Sequence, residues 1–207
     1  MRSRWVNSVM GNWGIEKYNS LTERYLQPWR KYHTLWHIKD CLDQLSYAKT
    51  LRGMKIKNPE AVEIAIWFHD AIYDPGASSG DNEVKSADLM DVFLKSSNLD
   101  TVLEIRGLIL ATDVNYQPTT EDECLISSID LSGLALDYQL FQANRFKIRE
   151  EFSMFNDAAF DVGTVKFYES MLQREHIYHH PKLRELLEFN ARENIEAALD
   201  ELKNDED

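Results

Sequence analysis

Apolar positions group on helical faces along most of the chain, and no stretch alternates strictly between apolar and polar residues. That pattern predicts helices and no sheet of consequence. An opening helix is expected near Trp5–Tyr18, then a short segment at Leu21–Tyr25 ahead of Pro28. From Thr34, a residue type suited to the N-cap, Ile38, Cys41, Leu42, Leu45 and Ala48 share one face of a longer helix, with Gly53 at its exit. Asn58-Pro59 opens the next helix, with proline in its first turn. The segment that follows reads EAVEIAIWFHDAIYDPG, apolar nearly all round, as a buried central helix is. Asp74-Pro75-Gly76 ends it as a turn. Beyond the polar loop at Ser78-Ser79-Gly80, helices are expected near Asn82–Leu94, Asp100–Ala111, Thr119–Ile129, Tyr138–Phe152, Val165–His176 and Lys182–Leu202. No linker or repeat divides the chain, so residues 1–207 read as one compact all-α bundle.

Composition supports that reading without changing it. The chain has 207 residues, 43% hydrophobic and 28% charged, with only 8 Gly and 5 Pro, enough to bury a core unaided. Disorder is expected only around the acidic tail at Glu206-Asp207. Charge adds a constraint: a net −12 repels the phosphates of a nucleic-acid duplex. Any phosphate-bearing substrate would need local positive charge, from a metal ion or a few Arg and Lys side chains. Cys41 and Cys124 lie far apart in no metal-binding spacing and read as reduced, partly buried thiols. The N-terminal stretch MRSRWVNSVMGNWG shows no apolar run of signal-peptide length, and no run approaches the ~18 apolar residues of a membrane span. The expectation is a cytoplasmic protein, off the membrane, for which a homodimer stays open. Stacking of a nucleobase is open to the five tryptophans, though helical packing accounts for most of them.

His69 and Asp70 sit together in the most apolar segment of the chain. A buried ionised carboxylate costs several kcal/mol unless a partner, a proton or a metal offsets it. Neighbours on a helix point about 100° apart, so these two cannot satisfy each other, yet both could reach an ion beside the helix. His33 and His37 stand four apart, and His37 lies beside the core stripe. His37 is therefore the better ligand, and His33 reads as a supporting group, a cap or a substrate contact. Asp130, between Ile129 and Leu131, is a second carboxylate in an apolar setting. Two histidines and two aspartates suit a divalent transition metal such as Mn, Co, Fe, Ni or Zn, with Mg also open.

The order and surroundings of these residues resemble the HD superfamily: a His, then a His-Asp pair on a central helix, then a later Asp. More closely, the chain is similar to short bacterial proteins described as predicted metal-dependent HD phosphohydrolases. The matching pieces are R-K-Y-H-x-x-x-H (Arg30 to His37), W-F-H-D-A-I-Y-D-P (Trp67 to Pro75), D-N-E-x-x-S-A (Asp81 to Ala87), L-I-L-A-T (Leu108 to Thr112), I-D-L-S-x-L (Ile129 to Leu134), I-R-E-E-F (Ile148 to Phe152) and A-R-E-N-I (Ala191 to Ile195). The core of the motif spans about 29–152, with C-terminal helices over 165–203 packed on it. The resemblance implies hydrolysis of a small phosphate ester or anhydride, a nucleotide among them, by a metal-activated water. It implies His37, His69, Asp70 and Asp130 as metal ligands, with Glu83 as the group for proton transfer or water orientation. Arg30, Lys31 and Arg149 are candidate phosphate contacts, as is Arg192, although Arg149 and Arg192 could instead pair with carboxylates such as Glu151 or Glu196. Two departures matter. The family commonly has an Asp where this chain has Ser128, and a His where it has Asn115. They favour a single metal and leave open a non-catalytic protein that binds metal or nucleotide. An HD-fold iron oxygenase is the remaining alternative. It needs more histidines, and His176, His179 and His180 lie outside the motif, the last two reading as a surface turn before Pro181.

Overall fold

The computed structural model describes residues 14–95 and 97–204. The expectations for Trp5 to Trp13 and for the Glu206-Asp207 tail lie outside the described residues. Among the described residues the protein is all-α, with nine helices and no strand. They are α1 (Gly14–Tyr25), α2 (Leu35–Ala48), α3 (Pro59–Phe68), α4 (Asp81–Leu94), α5 (Leu99–Leu110), α6 (Glu121–Asp130), α7 (Tyr138–Glu151), α8 (Asp157–Gln173) and α9 (Pro181–Asn204). A 3-10 turn at Leu131–Ala135 joins α6 to α7.

Caps fix several starts where the sequence places them. The Thr34 hydroxyl accepts from the Trp36 amide, and the Asn58 side chain accepts from the Ala61 amide with Pro59 in the first turn. Thr120 and Glu123 form a reciprocal capping box at α6. Two expectations change. Leu21–Tyr25 is not a separate segment but the second half of α1, across Asn19-Ser20. Helix α8 begins at Asp157 rather than Val165, because the Asn156 side chain caps it by accepting from the Ala159 amide.

Helix α3 is central: Ala61, Val62, Ile64, Ala65, Ile66, Trp67 and Phe68 are all buried, and it packs on α2, α4, α5 and α6. It is also shorter than the sequence predicts. It stops at Phe68, so His69 and Asp70 leave its C-terminal end rather than sitting mid-helix. The last carbonyls of a helix lack internal partners, and here distant side chains supply them. Tyr25 donates to the Trp67 carbonyl (2.8 Å), and Arg30 donates to the carbonyls of Asp70 (2.7 Å) and Ala71 (3.3 Å). The exit is clamped from α4. Asn82 bonds both the amide and the carbonyl of Asp74, and the Ser86 hydroxyl bonds both those of Ile72. The D-N-E-x-x-S-A block is thus largely a clip that holds the outgoing chain.

Two apolar clusters result. The larger gathers α1 to α6 around Trp67 and Phe68, with Leu183 from α9. The smaller joins Phe141 of α7, Tyr168 and Met171 of α8, and Ala191, Ile195 and Ala198 of α9.

Candidate metal centre

His37 comes from the first turn of α2, His69 and Asp70 from the end of α3, and Asp130 from the last turn of α6. Their side chains converge. His37 Nε2 lies 3.2 Å from His69 Nε2, 2.9 Å from Asp130 Oδ1 and 3.5 Å from Asp70 Oδ2. His69 Nε2 lies 3.1 Å from both Asp70 Oδ2 and Asp130 Oδ1. Donors about 2.1 Å from a common ion stand roughly 3.0 Å apart at a right angle and about 3.4 Å apart at the tetrahedral angle. The observed spacings span that interval. His69 Nδ1 is 2.9 Å from the Ile66 carbonyl, an arrangement that puts the proton on Nδ1 and leaves the Nε2 lone pair facing the cluster. Asp70 Oδ2 is buried with no hydrogen-bond partner among the described residues. Its nearest nitrogens point with it towards one place rather than at it.

The electrostatics favour a cation. Burial opposes charge on His69, yet the Asp70 and Asp130 carboxylates outweigh burial and raise its imidazole well above the usual histidine value. Burial also opposes ionisation of both carboxyls. The neighbouring imidazoles, His69 foremost, nevertheless hold Asp70 and Asp130 well below the usual carboxylate range.

Cys41, one turn after His37, was not expected here. Its Sγ joins ring nitrogens of His37 and His69 and a carboxylate oxygen of Asp130 within 4.8 Å of one another, a buried group able to hold a metal ion. A donor sharing an ion with His37 Nε2 would lie beyond that nitrogen, much farther from Nδ1. The sulfur is almost equidistant, 3.7 Å from Nε2 and 3.9 Å from Nδ1, so it flanks the imidazole. Burial pushes this thiol up, and the residue packs against the His37 ring. The i, i+4 spacing of His37 and Cys41 was the available signal. Both cysteines are free, as expected.

The cluster opens into a cavity of ≈ 640 Å³. His33 and Glu83 line it beside the cluster, whereas Arg30, Lys31 and Arg149 do not. Glu83, in the first turn of α4, is half-buried. Burial first, then Asp113, Asp70 and Asp130, raise its carboxyl, so it holds a proton more readily than an exposed glutamate. The expected phosphate contacts are placed elsewhere. Arg30 is 4% exposed, donates to the backbone and sits against the Tyr25, Trp29 and Tyr73 rings. Lys31 is exposed. Arg149 pairs with Asp157 and caps the carbonyls of Phe152 and Phe155, and Arg192 pairs with Glu188. Neither arginine takes Glu151 or Glu196. Glu151 is buried at the end of α7. One carboxylate oxygen accepts the amides of Lys31, Tyr32 and His33 at 2.7, 2.8 and 2.9 Å, and the other lies 2.6 Å from His33 Nδ1. His33 is thereby held against Tyr73, ring centroids 3.9 Å apart. Sequence reasoning also missed Tyr32, which lines the cavity. Its hydroxyl stands so close to Gly133 that a Cβ there would lie 2.8 Å from the oxygen.

Ser128 and Asn115 do not line the cavity. The Ser128 hydroxyl donates to the Cys124 carbonyl and accepts the His180 amide, and Asn115 bonds Ser79. His176, His179 and His180 do not line it either. His180 is 5% exposed, so the expected surface turn is a buried junction between α6 and α9.

No helix among the described residues is long and apolar enough to cross a membrane. No family model, curated protein or solved structure matches the chain.

Proposed function

We propose that this protein is a metal-dependent phosphohydrolase of the HD type, acting on a small phosphate ester or anhydride. The observation that carries the reading is the convergence of His37, His69, Asp70 and Asp130 at ligand spacing, with Asp70 Oδ2 lacking any other partner, at the mouth of a cavity. A divalent transition metal bound there supplies a Lewis acid and lowers the pKa of a coordinated water towards neutrality.

The chain's own residues do the rest. The Ile66 carbonyl holds the His69 ring so that Nε2 faces the cluster. Glu83 sits on the cavity wall with a raised carboxyl, suited to take the proton of the attacking water and return it to the leaving oxygen. Tyr32 offers a hydroxyl from beside Gly133, and Glu151 fixes His33 facing the same space. The partners of Ser128 support a site for a single ion, because its hydroxyl is committed to the Cys124 carbonyl and the His180 amide.

Metal analysis of the purified protein, with phosphate release from a panel of nucleotides and simple phosphate esters in manganese, cobalt or magnesium, tests the proposal. One equivalent of metal is expected. His69→Ala and Asp70→Ala should each weaken binding at least a hundredfold and abolish release while the helical circular dichroism stays unchanged. Tight nucleotide binding with no release would favour a sensor instead, and absence of metal affinity would overturn the site altogether.

A further inference from the structure

The cavity extends well beyond the cluster, and its far part is apolar. It runs between α7 and α8, which meet at its two ends, through Phe141 against Tyr168 (ring centroids 6.1 Å apart) and Phe152 against Phe160 (5.7 Å), and leave a space between. Phe141, Ile148 and Phe152, from α7 and its C-terminal end, line it together with Phe160 and Phe167 of α8. Two small residues one turn apart on α8, Ala159 and Gly163, make the room. Gly163 is informative. Glycine is a poor residue for a helix interior, so a packing reason is expected. None is found, because a Cβ built there meets nothing within 4 Å. Gly163 is exposed and lines the cavity, so it stands at the opening, where a larger side chain would reach over the entrance.

Resting on the hydrolase reading, we infer that this chamber receives the apolar part of the substrate, which is a phosphate ester of a bulky aromatic or alkyl alcohol. A volume of ≈ 640 Å³ suits a small organic molecule. A nucleobase fits less well, since its edge groups would need partners. Among the described residues, the one cation lining the chamber from α7, Arg145, is engaged with Gln142 and Glu201, and Asn144, whose carbonyl oxygen accepts from Lys147, is a single amide among phenylalanines. The reaction adds water across the P–O bond. A bond forms from the water oxygen to phosphorus, the bond to the alcohol oxygen breaks, and one water proton ends on that alcohol. Inorganic phosphate and a free apolar alcohol result.

The test uses the full chain with 1-naphthol, 1-naphthyl phosphate and glycerol 2-phosphate, the esters assayed with manganese. Naphthol, followed by its fluorescence, should bind. Gly163→Leu should weaken it at least tenfold, and Gly163→Ala less than threefold, with both thermal midpoints at or above that of the wild type. The wild type should favour the naphthyl ester by a hundredfold or more in kcat/KM, and Gly163→Leu should cut that preference at least tenfold, through KM. Ala159→Leu, on the same face, repeats the test should Gly163→Leu misfold. No naphthol binding, or binding indifferent to both leucine variants, overturns the inference. Hydrolysis of both esters without preference also overturns it and leaves the hydrolase reading standing. Naphthol binding blocked by leucine, with neither ester hydrolysed, supports an apolar-ligand chamber and overturns the hydrolase reading.

Discussion

The surroundings of α3 and the space between α7 and α8 are both rich in large apolar residues, yet one is filled and the other is hollow. Around α3, Trp67 and Phe68 are 0% exposed, in a cluster to which six other helices contribute. Between α7 and α8 the aromatic side chains line a cavity, with Ala159 and Gly163 where larger residues would have closed it. Hydrophobic content does not decide between core and chamber. The placing of small residues does.

The largest break in the comparison should come from truncating a ring in each region. Phe68→Ala should cost about 3–5 kcal/mol in denaturant unfolding, because a close-packed interior relaxes only partly around the void. Phe160→Ala, on the chamber wall, should cost less than about 1.5 kcal/mol, since part of its ring already faces open space. Equal losses would mean the chamber is not open in solution. Next comes the tie between the regions. Glu151→Gln should cost about 1–3 kcal/mol at pH 7 by weakening four buried hydrogen bonds. Burial raises the Glu151 carboxyl, but His33 and the bound amides outweigh it and leave its folded pKa below the unfolded value of about 4.3. Its contribution is therefore complete above that unfolded value and disappears as pH falls through the folded one. The gap between wild type and Glu151→Gln should shrink as urea unfolding is repeated from pH 7 down to pH 3, and a constant gap would refute the tie. Gly133→Ala should cost about 1–2 kcal/mol by driving a methyl group against the Tyr32 hydroxyl. It should also slow phosphate release more than the same change at Gly163. The smallest effect should come from Cys41→Ala. It should cost about 1 kcal/mol of packing and leave metal affinity within threefold, by calorimetric titration, as befits a flanking thiol.

The filled region was the more legible in sequence. Thr34 and Asn58-Pro59 announce their helices, and the unbroken apolar run before His69 announces the core, because those signals are local. His37, His69, Asp70 and Asp130 were readable as ionisable groups set in or beside apolar stretches. The end of α3 was not, since the donors that take its carbonyls come from Tyr25 and Arg30 on another element. Nor was the fate of the arginines: a guanidinium looks the same on paper whether it meets phosphate or backbone. The chamber was hidden for a related reason. Phe141, Phe160 and Phe167 look like ordinary core residues of their helices, and nothing in the sequence around Gly163 says that it lines a cavity.

The positions of the four candidate ligands carry one more consequence. They come from α2, the end of α3 and the end of α6, stretches separated by long loops of chain. A cation gripping all of them would act as a removable cross-link, absent from the denatured ensemble. By mass action, an ion at a hundred times its dissociation constant adds about 2.7 kcal/mol to the folded state. Chelation should therefore lower the melting temperature in proportion to the logarithm of free metal, whether or not any substrate is present.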